Sequence, residues 1–253
     1  MDNIKNCQLI KHDINLLILK GLIDNKDSIL IIKYDINNEL MNNCKNKNKY
    51  KYSIISPINE NLLVNLNSKL ILVKESSSLY WNEIDKYINK LIINGNINWM
   101  NKILNNKNNK NIIYQDSKFL LLRDIIWDGK NINNLYVLGI PKNSKIRSIR
   151  DLTASDIPLL KYMYNKIAFI LHKKWNIKKN EMYYFFHYHP SFYYLHLHIC
   201  RINHHSLQSK FLRPQLLNII IDNLETNSNY YHNCNMYYEI PKNHNIYKYF
   251  FKN

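Results

Sequence analysis

Two histidines separated by a single residue, His196 and His198, are the side chains of this chain best suited to chemistry. They end the segment HYHPSFYYLHLH at residues 187–198, in which apolar and polar side chains alternate from residue 194 onward. Because successive side chains of a β-strand point to opposite faces, the alternation predicts a strand with Tyr194 and both histidines on one face. Paired imidazoles suit metal binding, or phosphoryl or nucleotidyl transfer in which one ring attacks phosphorus and the other stabilises charge on the phosphate oxygens.

Metal binding is the first alternative for this pair. Zinc sites use three or four protein ligands, and the segment contains neither a Cys-x-x-Cys nor a His-Glu-x-x-His pattern; its nearest acid, Glu181, lies upstream. The second alternative is a half-exposed strand that carries histidines without a role. Pro190 and Ser191 beside the pair, the further histidines His187 and His189, and the basic character of the chain weaken this second alternative.

Residues 187–198 resemble the signature of the histidine-triad (HIT) superfamily, in the form found in scavenger mRNA-decapping enzymes. The usual signature places three histidines on the strand face, and the corresponding residues here are Tyr194, His196 and His198. The resemblance implies that His196 is the nucleophile and forms a covalent histidine–phosphate intermediate. It also implies that His198 and His187 bind the phosphates and assist the leaving group. His189 has no counterpart in the family, and an exposed strand-edge position is one of its two expected fates.

The resemblance is firm from residue 99 to residue 224 and weaker over residues 19–91. It implies a hydrolase that cleaves N7-methylguanosine cap dinucleotide, or short capped RNA, to N7-methyl-GMP and a nucleoside or oligonucleotide diphosphate, without a metal or other cofactor. Trp99 would stack on the positively charged base, an interaction of about 1–2 kcal/mol. Asp124 would contact the cap nucleoside, and Asn109 would face the guanine edge. The phosphate contacts implied by the resemblance are those of Tyr136, Ser191, Arg213, Lys69 and Tyr50. The alternative for each is structural, such as a core tryptophan or a turn aspartate.

Besides Tyr194, three further positions depart from the family pattern. Ile126 stands where the family has a lysine, which removes one phosphate contact. Asn108 or Asn109 stands where a glutamate reads the guanine edge, and an amide does not supply the negative charge that suits methylguanine. Phe192 replaces a tyrosine. Two further functions therefore stay open: a less selective dinucleoside polyphosphate hydrolase, and a cap-binding module with little catalysis.

The composition agrees with a nucleotide ligand. The chain has 253 residues and a net charge of +16, a sign that favours polyanions. The scattered cysteines Cys7, Cys44, Cys200 and Cys234 have no metal spacing, which favours a reducing compartment. No segment has the apolar length of a membrane span, and the N-terminus lacks the order of a signal peptide. We therefore expect a soluble protein without a membrane partner, cytoplasmic and, by the resemblance, also nuclear.

The order of predicted elements indicates an α+β protein. Strands are expected at residues 28–33, 50–55, 70–73, 112–114, 119–122, 135–140 and 236–240, and helices at 76–91, 149–174 and 213–224. The break Asn94-Gly95-Asn96 predicts two domains, 1–94 and 95–253. The resemblance implies that the second is a HIT-like antiparallel sheet with helices. It implies that the first is a smaller α+β dimerisation domain, strand-exchanged in a homodimer.

Overall fold

The computed structural model describes residues 5–13, 16–23, 26–33, 51–55, 69–95, 97–105, 110–124, 127, 129–142, 145–202 and 214–251. Side chains are described from residue 69 onward, apart from those of residues 99, 101, 102 and 105. The chain forms two compact units, Met1–Ile71 with Ile240–Tyr247 and Leu72–Glu239 with Lys248–Asn253. This division falls at residues 71–72, whereas the boundary expected from the sequence falls at 94–95, and the assignment of domains stays a prediction.

Four antiparallel strands in simple sequential order form the sheet of the first unit. They are β1 (Lys5–Asp13), β2 (Leu16–Ile23), β3 (Lys26–Lys33) and β4 (Lys51–Ile55). The high content of isoleucine and leucine in β2 and β3 is typical of strands that bury one or both faces. The strands predicted at 28–33 and 50–55 are therefore confirmed.

A helical segment follows β5 (Leu70–Glu75), the strand that leads from the first unit into the second. It consists of α1 (Ser77–Leu79), a π-helical stretch (Tyr80–Ile84) and α2 (Asp85–Ile93). The Ser76 hydroxyl accepts a hydrogen bond from the backbone N–H of Leu79 at 3.1 Å and so caps the helical segment expected from residue 76. The segment ends at Gly95, whose φ of +83° favours glycine, and α3 (Asn98–Asn105) follows.

A six-stranded antiparallel sheet forms the centre of the second unit, in the order β11-β9-β10-β8-β7-β6. Its strands are β6 (Ile112–Gln115), β7 (Phe119–Arg123), β8 (Tyr136–Pro141), β9 (Met182–His187), β10 (Leu197–Arg201) and β11 (Pro214–Leu216). The turn between β6 and β7 depends on Asp116, whose carboxylate accepts the backbone N–H groups of Lys118 and Phe119 at 2.8 and 2.9 Å. The α+β class with an antiparallel sheet is thus confirmed.

The long helix α4 (Ile157–Trp175) packs on this sheet. Its start carries the predicted capping box, in which Thr153 and Asp156 exchange hydrogen bonds. A Cβ atom added to Gly139 on β8 would lie 2.9 Å from Ile167 of α4, so glycine permits the close approach of helix and sheet. The remaining elements are α5 (Leu217–Thr226), α6 (Tyr230–Asn233), β12 (Met236–Pro241), which pairs with β5, and α7 (Tyr247–Phe250).

Three predicted elements have different bounds in the structure. The helix expected from residue 149 begins at Ile157, after two short 3-10 turns at Ile149–Asp151 and Ala154–Asp156. The helix expected from residue 213 begins at Leu217, because Pro214 starts β11 and pairs with His187 of β9. Proline lacks an N–H group and is tolerated on such an edge strand. The strand expected over 187–198 is regular only from Leu197, and residues 188–196 form an irregular connection. In the described part of the chain, no helix is long and apolar enough to span a bilayer.

Candidate active site

Three histidines from the predicted catalytic set lie side by side. His187 ends β9, His198 lies in the neighbouring β10, and His196 precedes β10 in the irregular connection. The ring centroids of His187 and His198 are 4.1 Å apart, and those of His196 and His198 are 4.8 Å apart. His198 is therefore the central ring of a compact cluster. The antiparallel pairing of β9 with β10 fixes the distance between the strands that carry His187 and His198.

The ring of His196 is held in one tautomer. Its Nδ1 lies 2.7 Å from the main-chain carbonyl oxygen of Tyr194, and because a carbonyl only accepts, Nδ1 carries the hydrogen. The side chain is 3% exposed, and burial lowers the pKa of His196 to about 4 against the opposing effect of that hydrogen bond. Among the described residues, none is a hydrogen-bond partner of Nε2. A neutral imidazole with a lone pair on Nε2 is the form required of a nucleophile.

The tyrosine at the first position of the triad leaves this arrangement intact. The acceptor for His196 is the backbone carbonyl of residue 194, which is present whatever side chain that residue carries. The backbone is fixed by two hydrogen bonds, from the N–H of Tyr194 to the carbonyl of Phe192 at 3.1 Å and from the N–H of Leu195 to the carbonyl of Ile146 at 2.9 Å. The departure from three histidines therefore does not remove the group that orients the nucleophile.

The central ring, His198, has a different partner. The hydroxyl of Tyr136 on β8 lies 2.9 Å from Nδ1 of His198. Burial raises the pKa of Tyr136 well above its ordinary value, so the phenol keeps its proton at neutral pH. The protonated phenol can donate to Nδ1 or accept from it, and the direction depends on the tautomer of His198. If the phenol donates, the hydrogen of a neutral His198 lies on Nε2. Sequence reasoning expected the Tyr136 hydroxyl on a phosphate, and the structure places it on this histidine.

A small cleft opens at His187 and His196, and its other side is formed by Arg147, Ser148 and Pro190. Arg147 is held in an ion-paired network, with Nη2 2.6 Å from Asp151 and Nη1 2.7 Å from Asp85. These carboxylates balance its charge and fix its position. Arg147 therefore forms a rigid wall of the cleft.

Some of the other predicted site residues are described in the structure, and the rest lie outside the described residues or side chains. Phe192 stacks on His196 with ring centroids 4.0 Å apart and an angle of 13° between the planes. Ser191 is exposed beside it, and Asp124 follows β7 with its N–H on the carbonyl of Tyr136 at 3.1 Å. Lys69 is exposed and belongs to the first unit. Trp99 lies in α3, but its side chain is outside the described set, as are the residues Tyr50, Asn108, Asn109, Ile126 and Arg213.

Sequence reasoning missed a buried cluster behind the connection 188–196. His189 is 4% exposed, so the expectation of an exposed strand edge is wrong. Its Nε2 lies 2.7 Å from a carboxylate oxygen of Glu75, which also forms a buried ion pair with Arg150 at 2.7 Å. Glu75 is distant in sequence, and no local pattern marks it. Across the residues with described side chains, no group of three histidine, cysteine or acidic side chains is arranged to bind a metal ion.

Comparison with known proteins finds a family match over the segment that contains the histidine cluster. Residues 98–212 match the family described as "Scavenger mRNA decapping enzyme C-term binding". The match contains β6 to β10 and all three clustered histidines. The resemblance to the scavenger mRNA-decapping enzymes is therefore confirmed over residues 98–212.

Curated relatives carry the name "m7GpppX diphosphatase". The protein of Caenorhabditis elegans is 34% identical over 190 residues, which cover 73% of this chain and 60% of the relative. The protein of Homo sapiens is 27% identical over 190 residues, covering 73% of this chain and 56% of the relative. The chain thus spans less than two thirds of the length of these relatives. A solved chain named "Hnt3" is 18% identical with a TM-score of 0.27, covering 39% of this chain and 57% of that one, and carries no argument.

Proposed function

We propose that the protein is a scavenger-type decapping pyrophosphatase. It hydrolyses N7-methylguanosine cap dinucleotide, or short capped RNA, to N7-methyl-GMP and a nucleoside or oligonucleotide diphosphate. The observation that carries the proposal is the buried Nε2 of His196, which is held as a lone pair because Nδ1–H donates to the carbonyl of Tyr194. The name of the curated relatives, m7GpppX diphosphatase, supports the same substrate.

The proposed reaction has two displacements. Nε2 of His196 attacks the phosphorus next to methylguanosine, a P–N bond forms, and the P–O bond to the departing diphosphate breaks. The imidazole becomes positively charged, and the carbonyl of Tyr194 stabilises it through Nδ1–H. Nε2–H of His198 donates to the phosphate oxygens, and His187 lies beside it for the same task. Water then cleaves the P–N bond, which releases N7-methyl-GMP and restores neutral His196.

The resemblance supplies the rest of the proposal. The second unit would adopt the HIT-like arrangement, and the first would exchange strands in a homodimer, so that Lys69 and Tyr50 reach the phosphates of the partner's site. Trp99, Asp124 and Asn109 would bind the methylated base and its nucleoside, with Ser191 and Arg213 on the phosphates. The expected location is the cytoplasm and the nucleus.

A direct test uses purified protein, methylated cap dinucleotide and excess chelator, with the products identified by chromatography. His196→Ala is expected to lose turnover by at least about 1000-fold while cap binding persists, because the nucleophile alone is removed. His172→Ala is the matched control, since His172 is an exposed histidine on α4. Full turnover by His196→Ala would reject the proposal.

Two residues favour a second candidate, a less selective dinucleoside polyphosphate hydrolase. Asn109 lacks the charge that suits methylguanine, and Ile126 lacks a phosphate-binding amine. Equal rates with methylated and unmethylated cap dinucleotide would favour this candidate. The third alternative, a cap-binding module with little catalysis, stays open because of Tyr194 and Ile126. The orienting acceptor at Tyr194 is a backbone carbonyl, which argues against it, and tight cap binding without product release would support it.

A further inference from the structure

We propose that Glu75 is a positioning residue for His196, which acts by tying down both ends of the connection that carries Phe192 and Tyr194. The proposal rests on the proposed function, because its kinetic test measures the rate of cap dinucleotide cleavage. Glu75 ends β5 and lies outside residues 98–212, the segment that matches the decapping family. Neither the family match nor the cleft beside His196 therefore includes it.

The carboxylate of Glu75 is fully buried and receives hydrogen bonds on both oxygens. Oε1 accepts from the hydroxyl of Tyr188 and from Nη2 of Arg150, the latter at 2.7 Å. Oε2 lies 2.5 Å from the hydroxyl of Tyr238 and 2.7 Å from Nε2 of His189. Arg150 in turn donates from Nη1 to the carbonyl oxygens of residues 231 and 234, both at 2.7 Å. Glu75 thus joins the end of β5 to three other segments of the second unit, which carry Arg150, Tyr188 with His189, and Tyr238.

The charge on this carboxylate is maintained in spite of burial. Burial alone would favour the neutral acid, but the attraction and hydrogen bond of His189 and the attraction of Arg150 lower the pKa of Glu75 to about 2. A buried carboxylate that is ionised and saturated with donors holds those donors in fixed directions. The groups bound to Glu75 are therefore rigid anchors.

Two of the residues bound to Glu75 are the first residues of the connection after β9. A third contact holds a residue nearer the other end of the connection. Tyr188 and His189 contact Glu75 directly. The hydroxyl of Tyr193 lies 3.1 Å from Nδ1 of His189, so the far end of the connection is bound to the same cluster. Phe192 precedes Tyr193, and Tyr194 follows it. The ring that stacks on His196 and the carbonyl that accepts its Nδ1–H therefore flank an anchored residue.

The alternative is a cluster that only stabilises the fold. In that case removal of one hydrogen bond lowers stability but leaves the folded enzyme with an unchanged rate. A positioning role predicts a loss of kcat with KM retained, since a displaced nucleophile reacts slowly while the binding groups stay in place. It also predicts a change at the ring of His196 itself.

Single-oxygen deletions test the two anchored ends with little risk of unfolding. Tyr188→Phe removes the contact at the first end, and Tyr193→Phe removes the contact at the second. Tyr184→Phe is the matched control, because the Tyr184 hydroxyl is equally buried on β9 and has no hydrogen-bond partner among the described residues. Each variant is measured for thermal unfolding, for kcat and KM with methylated cap dinucleotide, and for the ¹⁵N signals of the His196 ring.

We expect Tyr188→Phe and Tyr193→Phe to lower kcat by about 10-fold to 100-fold with KM changed by less than about threefold. Their His196 signals should depart from those of a single Nδ1–H tautomer, whereas Tyr184→Phe should match the unsubstituted protein in kcat, in KM and in its His196 signals. Folded Tyr188→Phe and Tyr193→Phe with unchanged kcat and unchanged His196 signals would overturn the proposal. If the unsubstituted protein does not cleave cap dinucleotide, the proposed function fails, and the His196 signals still decide the positioning role.

Discussion

The Tyr136 hydroxyl contacts Nδ1 of His198 at 2.9 Å, whereas Nδ1 of the neighbouring His196 contacts a backbone carbonyl at 2.7 Å. The two rings therefore have different kinds of partner. The carbonyl fixes the lone pair of His196 on Nε2, whereas the Tyr136 hydroxyl can donate to His198 or accept from it. In the proposed mechanism the hydroxyl donates, so that His198 offers an N–H group to the phosphate while His196 attacks.

Tyr136→Phe should lower kcat by about 10-fold, because His198 loses the partner that keeps the hydrogen on Nε2. KM should change less than kcat. Steady-state kinetics with methylated cap dinucleotide measure both constants, with Tyr184→Phe again as the control for loss of a buried phenol oxygen. An unchanged kcat would show that the tautomer of His198 does not depend on Tyr136.

Tyr194→Phe should raise the free energy of unfolding by up to about 1 kcal/mol. The Tyr194 hydroxyl is buried without a hydrogen-bond partner in the described part of the chain, and burial of such a group is costly. The backbone carbonyl that orients His196 remains in this variant. Urea denaturation measures the change in stability; a clear decrease would mean that the hydroxyl makes a favourable interaction.

The His196 ring should titrate at a pH far below the ordinary range of histidine pKa values. Burial lowers its pKa to about 4, whereas an unfolded histidine titrates near about 6.5. The unfolded chain therefore binds the additional proton first as the pH falls, so the contribution of His196 to stability is full above about pH 6.5 and is lost between about 6.5 and 4. The loss amounts to about 3 kcal/mol. An NMR titration of the ring checks this, and a midpoint near 6.5 would contradict the burial of a neutral imidazole.

Glu75→Ala should lower the free energy of unfolding by about 3–5 kcal/mol, because it leaves the guanidinium of the fully buried Arg150 without its carboxylate. The matched control is Glu225→Ala. Glu225 pairs with Lys161 at 2.5 Å on the surface, where both side chains are about half exposed, and its loss should cost less than about 1 kcal/mol. Urea denaturation of both variants measures the difference. Equal costs would show that the buried pair does not stabilise the fold.

Local signals in the sequence were sufficient for much of the fold. The cap at Ser76, the capping box of Thr153 with Asp156, and the turn at Asp116 each depend on residues a few positions apart. The three clustered histidines could also be identified from residues 187–198 and their resemblance to a family. These features are predictable because the interacting groups lie within one short segment.

Contacts between distant residues could not be predicted in the same way. Glu75 and Tyr188 are 113 positions apart, and an isolated glutamate before a serine cluster gives no sign of a buried partner. The irregular residues 188–196 contact that cluster through Tyr188 and His189, and the strand expected over this segment is regular only from Leu197. Pro214 was interpreted as a helix start because proline suits both a first helical turn and an edge strand, and only the pairing with β9 decides between them.

The central claim is that His196 forms a bond to phosphorus. The most direct measurement is the stereochemical course of hydrolysis, with a cap dinucleotide in which the phosphate next to methylguanosine is a chiral phosphorothioate and with isotopically labelled water. Two successive displacements, first by His196 and then by water, predict N7-methylguanosine phosphorothioate with net retention of configuration. Net inversion would mean that water attacks directly, and would contradict a covalent intermediate on His196.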